Sequence, residues 1–154
     1  IQVNISSHKI HFSDNKNYRL VMAIDITDQY NAQKELLKLS HAVEQSPVSI
    51  VITDTDGNIE YGNPKVTQIT GYKPEEIIGK NSRIFNSGEK PKSEYQILWD
   101  TISSGNEWFG EFHNKKKNGE LYWEYASISP IMNKNGEPSP ALLSTHISPP
   151  SIST

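Results

Sequence analysis

The chain has 154 residues, enough for one full domain with some chain left over. Its net charge of −3 argues against a nucleic-acid binder, and the absence of cysteine removes disulfides, thiolate metal ligands and thiol chemistry. No apolar run approaches membrane-spanning length, and an apolar fraction of 34% allows only a modest core.

In chain order, residues 1–28 read as two strands. Ile1, Val3 and Ile5 alternate with polar residues, Ser13 to Asn17 is a polar turn, and Tyr18 to Ile26 returns with Leu20, Met22, Ile24 and Ile26 on one side. Two strands alone are marginal in water, so this pair needs a missing sheet, the other domain or a second copy of the chain. His8 and His11 are three apart, which on a strand sends them to opposite faces, as ordinary surface histidines rather than a metal pair. Thr27 or Asp28 then caps a helix running to about Gln45. Within it Ala32, Leu36, Leu39 and Val43 step by four, three and four, the seam of a short coiled coil, although a helix packing on its own domain reads similarly. Pro47 ends it.

The next domain starts near Ser46. Val48 to Thr53 is an apolar strand, Asp54 to Asn58 a turn containing Asp56-Gly57, and Ile59 to Gly62 the returning strand. Pro64 opens a short helix ending at Gly71, and Pro74, with Glu75 and Glu76 beside it, opens another that Gly79 stops. Asn81 to Asn86 is an irregular turn or helix. Pro91 starts a longer helix whose Tyr95, Leu98, Trp99 and Ile102 form an apolar stripe, with Gly105 at its end. A last strand spans Ala141 to Ile147 after a turn at Asn135-Gly136.

Between these lies the stretch on which function turns, Trp108 to Pro130. Two strand-like runs, Trp108 to Asn114 and Leu121 to Ser129, flank a basic turn ending in Asn118-Gly119, a strong hairpin signal. A two-residue loop puts Asn114 opposite Trp123; a three-residue loop with a bulge puts Asn114 opposite Glu124. A one-residue slip flips every side chain, so the register decides what each face presents. The bulged register is the more coherent. It aligns Trp108, Gly110, Phe112 and Asn114 with Glu124, Ala126, Ile128 and Pro130, an apolar face with its polar groups at one end. Such a face suits the lining of a pocket with Asn114 and Glu124 as orienting groups; the other reading leaves both exposed near a loop. Glu111, His113, Lys115, Trp123, Tyr125 and Ser127 form the opposite, solvated or partner-covered face.

Strands cluster at both ends of the chain with helices between. The expected fold is α+β: a five-stranded antiparallel sheet with short helices on one face, plus an N-terminal β-hairpin and a connecting helix. Arg19 to Thr27 (RLVMAIDIT) echoes Pro140 to Ser148 (PALLSTHIS), with His146 standing where the first copy has Asp25.

The segments ITDTDGNIEYGNPKVTQITGYKPEEIIGKNSRIFNSG and LYWEYASISPIMNKNGE resemble a PAS sensory domain with its C-terminal PAC motif, over roughly residues 40–148. Asn63, Thr70-Gly71-Tyr72, Glu75-Glu76, Gly79, the Trp-Glu pair and Ile-Ser-Pro keep the family spacing. The resemblance implies four parts: residues 1–28, the C-terminal strands of a preceding PAS/PAC domain; 29–45, a linker helix of the kind found in sensor histidine kinases and GGDEF-type diguanylate cyclases; 46–148, the PAS/PAC domain; and 149–154, a tail. The start at Ile1 without Met leads us to expect a fragment of a longer protein.

NSRIFNSGEKPKSEYQILWDTISSGNEWFGEFHNKKKNGELYWE is most similar to the flavin-binding branch, the redox-sensing FAD domains of the nitrogen-fixation regulator type, and more distantly to blue-light LOV domains. The resemblance implies FAD, or FMN, held by Asn81 and Arg83 on the ribityl-phosphate portion, Asn114 at the ring edge, Glu124 where LOV domains carry a second Asn, and Trp108 flanking the ring. LOV domains read Asn-Cys-Arg where this chain has Asn81-Ser82-Arg83, so the cysteinyl adduct is absent. The alternative for the same residues is support of the fold: Asn81 capping a turn, Arg83 a surface cation, Trp108 in the core. Two functions follow, a sensory domain of a multidomain bacterial signalling protein reading redox state or a small ligand, or a cofactor-free dimerisation module. Neither makes this stretch an enzyme, since no glycine phosphate loop, nucleophile elbow or metal-ligand cluster is present. The expected partners are a second copy through linker helix and sheet face, and a small molecule in the pocket, without nucleic acid or membrane contact. The expected location is cytoplasmic, with membrane anchoring left open for the parent protein.

Overall fold

The computed structural model of the chain describes residues 1–11, 17–89, 91–136 and 138–147. It divides into two compact units, residues 1–42 and 43–154.

In the first unit, β1 (Val3–His11) pairs antiparallel with β2 (Asn17–Asp25), with Ser6 opposite Met22 and His8 opposite Leu20. The turn expected over Ser13 to Asn17 falls mostly outside the described residues. Nearly every residue of both strands is exposed, Leu20, Val21, Met22 and Ile24 included, because a lone hairpin has two faces and nothing within the unit to bury them. Helix α1 (Thr27–Glu44) follows. Its entry is held not by Thr27 or Asp28 but by Asp25, whose Oδ1 accepts from Thr27 N at 2.9 Å and from Thr27 Oγ1 at 2.6 Å. The Thr27 hydroxyl is thereby free to accept from Gln2 N at 2.8 Å, fastening the start of the hairpin to the start of the helix. No α1 residue is buried; Leu36 and Leu39 stand open.

In the second unit, β3 (Ser49–Asp54), β4 (Ile59–Gly62), β5 (Trp108–Lys115), β6 (Leu121–Met132) and β7 (Pro138–Ile147) form one antiparallel sheet in the order β4-β3-β7-β6-β5. β7 begins three residues earlier than its apolar run announces, extended through the polar Pro138–Pro140 segment by pairing with the long β6. Pro130, with no N–H to donate, sits beyond the last β5 pair and beside a register shift between residues 130 and 132.

Between β4 and β5 run α2 (Pro64–Thr70), α3 (Pro74–Ile77), the 3-10 turn α4 (Ser82–Phe85) and α5 (Lys92–Ser103). Gly71 ends α2 at φ +77°, where its N–H returns to Thr67 O. The helices pack on the sheet through two apolar clusters. Val51, Ile59, Val66, Ile77 and Phe85 make one; Leu98, Ile102, Phe112 and Ala126 make the other. Each Val, Leu, Ile or Phe among them contributes about 1.5–3 kcal/mol when fully buried.

One amide joins the entry of this unit. Asn63 is 1% exposed, and its side chain accepts from Ile50 N at 3.0 Å while donating to Val43 O at 3.1 Å and Val48 O at 3.0 Å. It sits at the N-terminus of α2 yet its side chain does not cap it; both its N–H groups and its oxygen are turned to the incoming chain and β3. Beside it the Tyr61 hydroxyl donates to Glu44 Oε1 at 2.8 Å, and burial first, then this carboxylate, push the phenol up to about 12. Asn63→Ala leaves Ile50 N and two carbonyls without these partners. It should lower stability by about 2–3 kcal/mol in urea unfolding, whereas a loss under about 0.5 kcal/mol would show the junction is held by packing alone.

Candidate functional site

The central hairpin has the expected face but a different register. Its loop is three residues, Lys117 to Gly119, closed by Lys116 N to Glu120 O at 2.8 Å and Gly119 N to Lys116 O at 2.9 Å, with Gly119 at φ +90°. Lys116 therefore faces Glu120, and Asn114 pairs with Tyr122, while Phe112 pairs with Glu124. This corrects the expected pairing of Asn114 with Glu124 by two residues. A two-residue shift preserves which side faces inward, so Trp108, Gly110, Phe112 and Asn114 still share the inner face with Glu124, Ala126 and Ile128, and Tyr122 replaces Pro130. The turn is anchored by Lys117, whose N–H bonds to Thr70 O at 2.9 Å and whose ammonium reaches Glu76 Oε1 at 2.5 Å.

Between this face and the helices lies a cavity of about 630 Å³, within the range of roughly 300–1,000 Å³ typical of small-molecule sites. Its apolar wall comes from both clusters, Val51 and Phe85 on one side and Leu98, Ile102 and Phe112 on the other. α4 spans it. At one end Asn81 bridges to Asn58 in the β3–β4 turn; at the other Asn86 bridges to Asn114 on β5.

Asn81 both caps and lines. Its Oδ1 accepts from Arg83 N at 3.2 Å, and its Nδ2 donates to Asp56 O at 2.8 Å, so the turn role and the cavity role coexist. Asp54 supports this rim from below, its carboxylate taking Asp56 N at 2.9 Å, Asn58 N at 2.8 Å and Asn58 Nδ2 at 2.8 Å. Gly57, at φ +82°, lets the rim pass beside Asn81, where a Cβ would stand 3.4 Å from Nδ2. Arg83 is exposed at the lining, and its guanidinium pairs with no carboxylate among the described residues.

At the other end, Asn114 is 7% and Glu124 4% exposed, joined by Asn114 Nδ2 to Glu124 Oε1 at 2.5 Å. Neither is turned out to solvent. Asn114 lines the cavity; Glu124 stands behind it and does not. Burial pushes the Tyr122 phenol well above its ordinary range, the Glu124 carboxylate adds to this, and a hydrogen bond from Asn114 opposes it. Trp108 is not brought to the cavity wall. Its indole lies over Gly110 and against Phe112, ring centres 5.3 Å apart; a Cβ on Gly110 would fall 2.2 Å from it.

The segment after α4 is stitched to β5. Ser87 Oγ donates to His113 O at 2.5 Å, Glu89 bonds His113 Nδ1, and the His113 ring stacks on Trp123 at 4.4 Å on the outer face. Sequence reasoning missed Asn86, Gln96 and Ser144 as lining residues, and Tyr122 as a neighbour of Asn114. Tyr122 was recoverable from the hairpin register; the others carry no local signal, since their approach depends on how distant segments meet.

A family model described as PAS domain matches residues 47–141. The chain is similar to the nitrogen fixation regulatory protein of Klebsiella oxytoca, 36% identical over 95 residues, covering 62% of this chain and 19% of the relative. It is also similar to the blue-light-activated histidine kinase of Brucella anthropi, 32% identical over 99 residues, covering 62% and 20%. The chain thus spans about a fifth of the length of these curated relatives. Among solved structures it resembles the Rhodobacter sphaeroides LOV protein at TM-score 0.67 and 20% identity, covering 78% of this chain and 69% of that one. It resembles an RNA-binding light-oxygen-voltage receptor at 0.69 and 18%, covering 94% and 39%. These two likenesses show the fold alone.

Acid should loosen the Asn81 rim. The Asn58 side-chain bond, then its backbone bond, hold Asp54 below the usual carboxylate value of 3.8. Its contribution is therefore complete above about pH 4 and is lost as pH falls through the lower folded-state value. The Asn81 side-chain amide signals, followed by NMR down to about pH 2, should shift in that window, and in Asp54→Ala they should already be displaced at neutral pH. Signals unmoved in both cases would free the rim from Asp54.

Proposed function

Because this chain belongs to the PAS domain family, we propose that it is the sensory module of a larger bacterial signalling protein, of histidine kinase or GGDEF type, and that it reads redox state or a small ligand through a flavin, FAD or FMN. The observation that carries this is the cavity between sheet and helices, apolar along its walls and polar at both ends. The lining residues fit such a group. Val51, Leu98, Ile102 and Phe112 suit the faces of a flat ring system, and Asn114 suits its donor and acceptor edge. Arg83, unpaired among the described residues, suits a phosphate through two parallel bonds, with Asn81 beside it. Glu124 acts behind Asn114, and Trp108 braces Phe112 rather than touching the ligand. A bound flavin would supply reversible electron uptake; the chain's residues hold it, shield it from water and set the polarity around it. Ser82 lines the cavity and carries no thiol, so no cysteinyl adduct forms.

We read residues 1–28 as the closing strands of a preceding domain of the same kind, consistent with a hairpin exposed on both faces. Residues 29–45 are the linker helix, 46–148 the sensory domain and 149–154 a tail lying outside the described residues. Output activity belongs elsewhere in the parent protein. No helix among the described residues is long and apolar enough to cross a membrane, and the module is read as working in the cytoplasm.

A second reading, a cofactor-free dimerisation module, is favoured by specific exposures: Leu36 and Leu39 on α1, and Phe109, Trp123 and Tyr125 on the outer sheet face. The two readings are compatible, since a sensor signals by favouring one of two pre-existing arrangements of a dimer.

Purified protein should show flavin absorbance near about 370 and 450 nm, directly or after incubation with FAD, bleaching on reduction with dithionite. Protein that stays colourless and takes up no flavin ends the flavin version. Light scattering should give a concentration-dependent dimer that Leu36→Glu with Leu39→Glu shifts toward monomer by about tenfold or more in Kd; an unchanged Kd would move the interface off the helix.

A further inference from the structure

β1 and β2 repeat β6 and β7 in pairing as well as in sequence. The echo of residues 19–27 in residues 140–148 sets Asp25 on His146 and Ala23 on Ser144. β1 pairs Val3 with Asp25 and Ile5 with Ala23, while β6 pairs Ala126 with His146 and Ile128 with Ser144. Val3 therefore matches Ala126, and Ile5-Ser6-Ser7 falls on Ile128-Ser129-Pro130. β1 forms no part of the echo, so this second match is independent of it. The two copies differ at one edge of their last strand. β7 is paired on both sides, with β6 and with β3, whereas among the described residues β2 is paired with β1 alone.

β2 is nonetheless built as an interior strand. Leu20, Val21, Met22, Ala23 and Ile24 run without a polar break, so both of its faces are apolar. It carries no proline and no register shift, and its charges, Arg19 and Asp25, lie toward its ends. Short length, bulges and charged side chains are the devices by which a true edge strand refuses a neighbour. The edges of the larger sheet carry them: β4 is four residues long with a register shift against β3, and β5 bears Glu111 and Lys115. By the same match the outer edge of β1 is the place of β5, but β1 alternates with polar residues and carries Lys9, so β2 carries the argument.

We propose that the open edge of β2 is a docking site for one more antiparallel strand, laid on it as β3 lies on β7 and contributed by chain N-terminal to the hairpin, as β3 is N-terminal to β6 and β7. In that register the positions of Ser49 and Asp54 fall opposite Asp25 and Leu20. The docked strand is apolar on both faces, as Ile50, Val51 and Ile52 make β3, because its neighbours on β2 are Val21, Met22, Ala23 and Ile24. Main-chain bonds along the edge hold such a strand, and alternate side chains set its register. The occupant rests on reading residues 1–28 as the closing strands of a preceding domain; the register rests on the repeat.

The test appends a second copy of residues 48–55 to the N-terminus of the full chain through a Gly/Ser linker of about 20 residues, which at roughly 25 Å is long enough to cross the hairpin. Hydrogen exchange is then read by NMR on the β2 amides that β1 does not engage. Across residues 20–25 they should slow by at least about tenfold relative to the unextended chain. The appended Val51 should lie opposite Ala23, and Ile52→Pro in the appended copy alone should abolish the effect. Unchanged exchange, or pairing on β1 or in another register, overturns the proposal. Pairing of Ser6 with Met22 in the unextended chain tests the reading of residues 1–28 separately. If that pairing is present while the edge stays unprotected, the proposal alone falls; if it is absent from both chains, both fall. Protection in the unextended chain that grows with concentration would give the edge to a second copy and overturn a preceding strand as its occupant.

Discussion

A carboxylate removed from water needs hydrogen-bond donors, and Glu124 obtains one from a side chain on the neighbouring strand. That requirement disciplines the hairpin. A slip of one residue would turn Glu124 and Asn114 outward and push Trp123 and Tyr125 against the helices; a slip of two would keep the faces, and in one direction would set Asn114 directly opposite Glu124. Hydrophobic packing on Phe112 and Ala126 tolerates neighbours of similar size, so it selects the face more strongly than the step along it. The polar pair reinforces the face, and the turn closed at Lys116 and Glu120 with Gly119 at positive φ sets the step.

The same division of labour recurs at the other edge of the unit. Val51, Ile59, Val66 and Ile77 bring α2 and α3 to the sheet, but Asn63 determines where the chain leaving α1 meets β3. Apolar contacts assemble the layers, and buried amides set their alignment. The cavity lies between the two apolar clusters; α4 gives Phe85 to the first of them, and the residues flanking it, Asn81 and Asn86, are bridged to Asn58 and Asn114.

How much of this was legible follows from the range of each signal. The helices announced themselves through Pro64, Gly71, Pro74 and Pro91, and the strands through alternation, since those rules act within a few residues. The inner face of the hairpin was readable because it depends only on parity. Its register was not, because Lys117-Asn118-Gly119 closes a loop that Asn118-Gly119 alone would also allow. The entry of α1 was misplaced by two residues, since Asp25 reaches forward to Thr27 from the end of a strand. Arg83 and Asn81 were found through likeness to a family rather than through local chemistry. The roles of Trp108 and Glu124 as braces, not walls, needed the packing of Gly110 and Asn114 to become visible.

The stitching of residues 86–89 to β5 makes the inner wall and the outer surface two sides of one ribbon. Asn86 and Gly88 border the cavity, yet Ser87 and Glu89 grip His113, which lies flat on Trp123 outside. An occupant that pushes this wall outward must break those two bonds or carry with it the His113 main chain, held by Ser87, and the His113 ring, held by Glu89. Inner wall and outer stacked rings would then move together, so that what fills the cavity is mechanically coupled to the outer face.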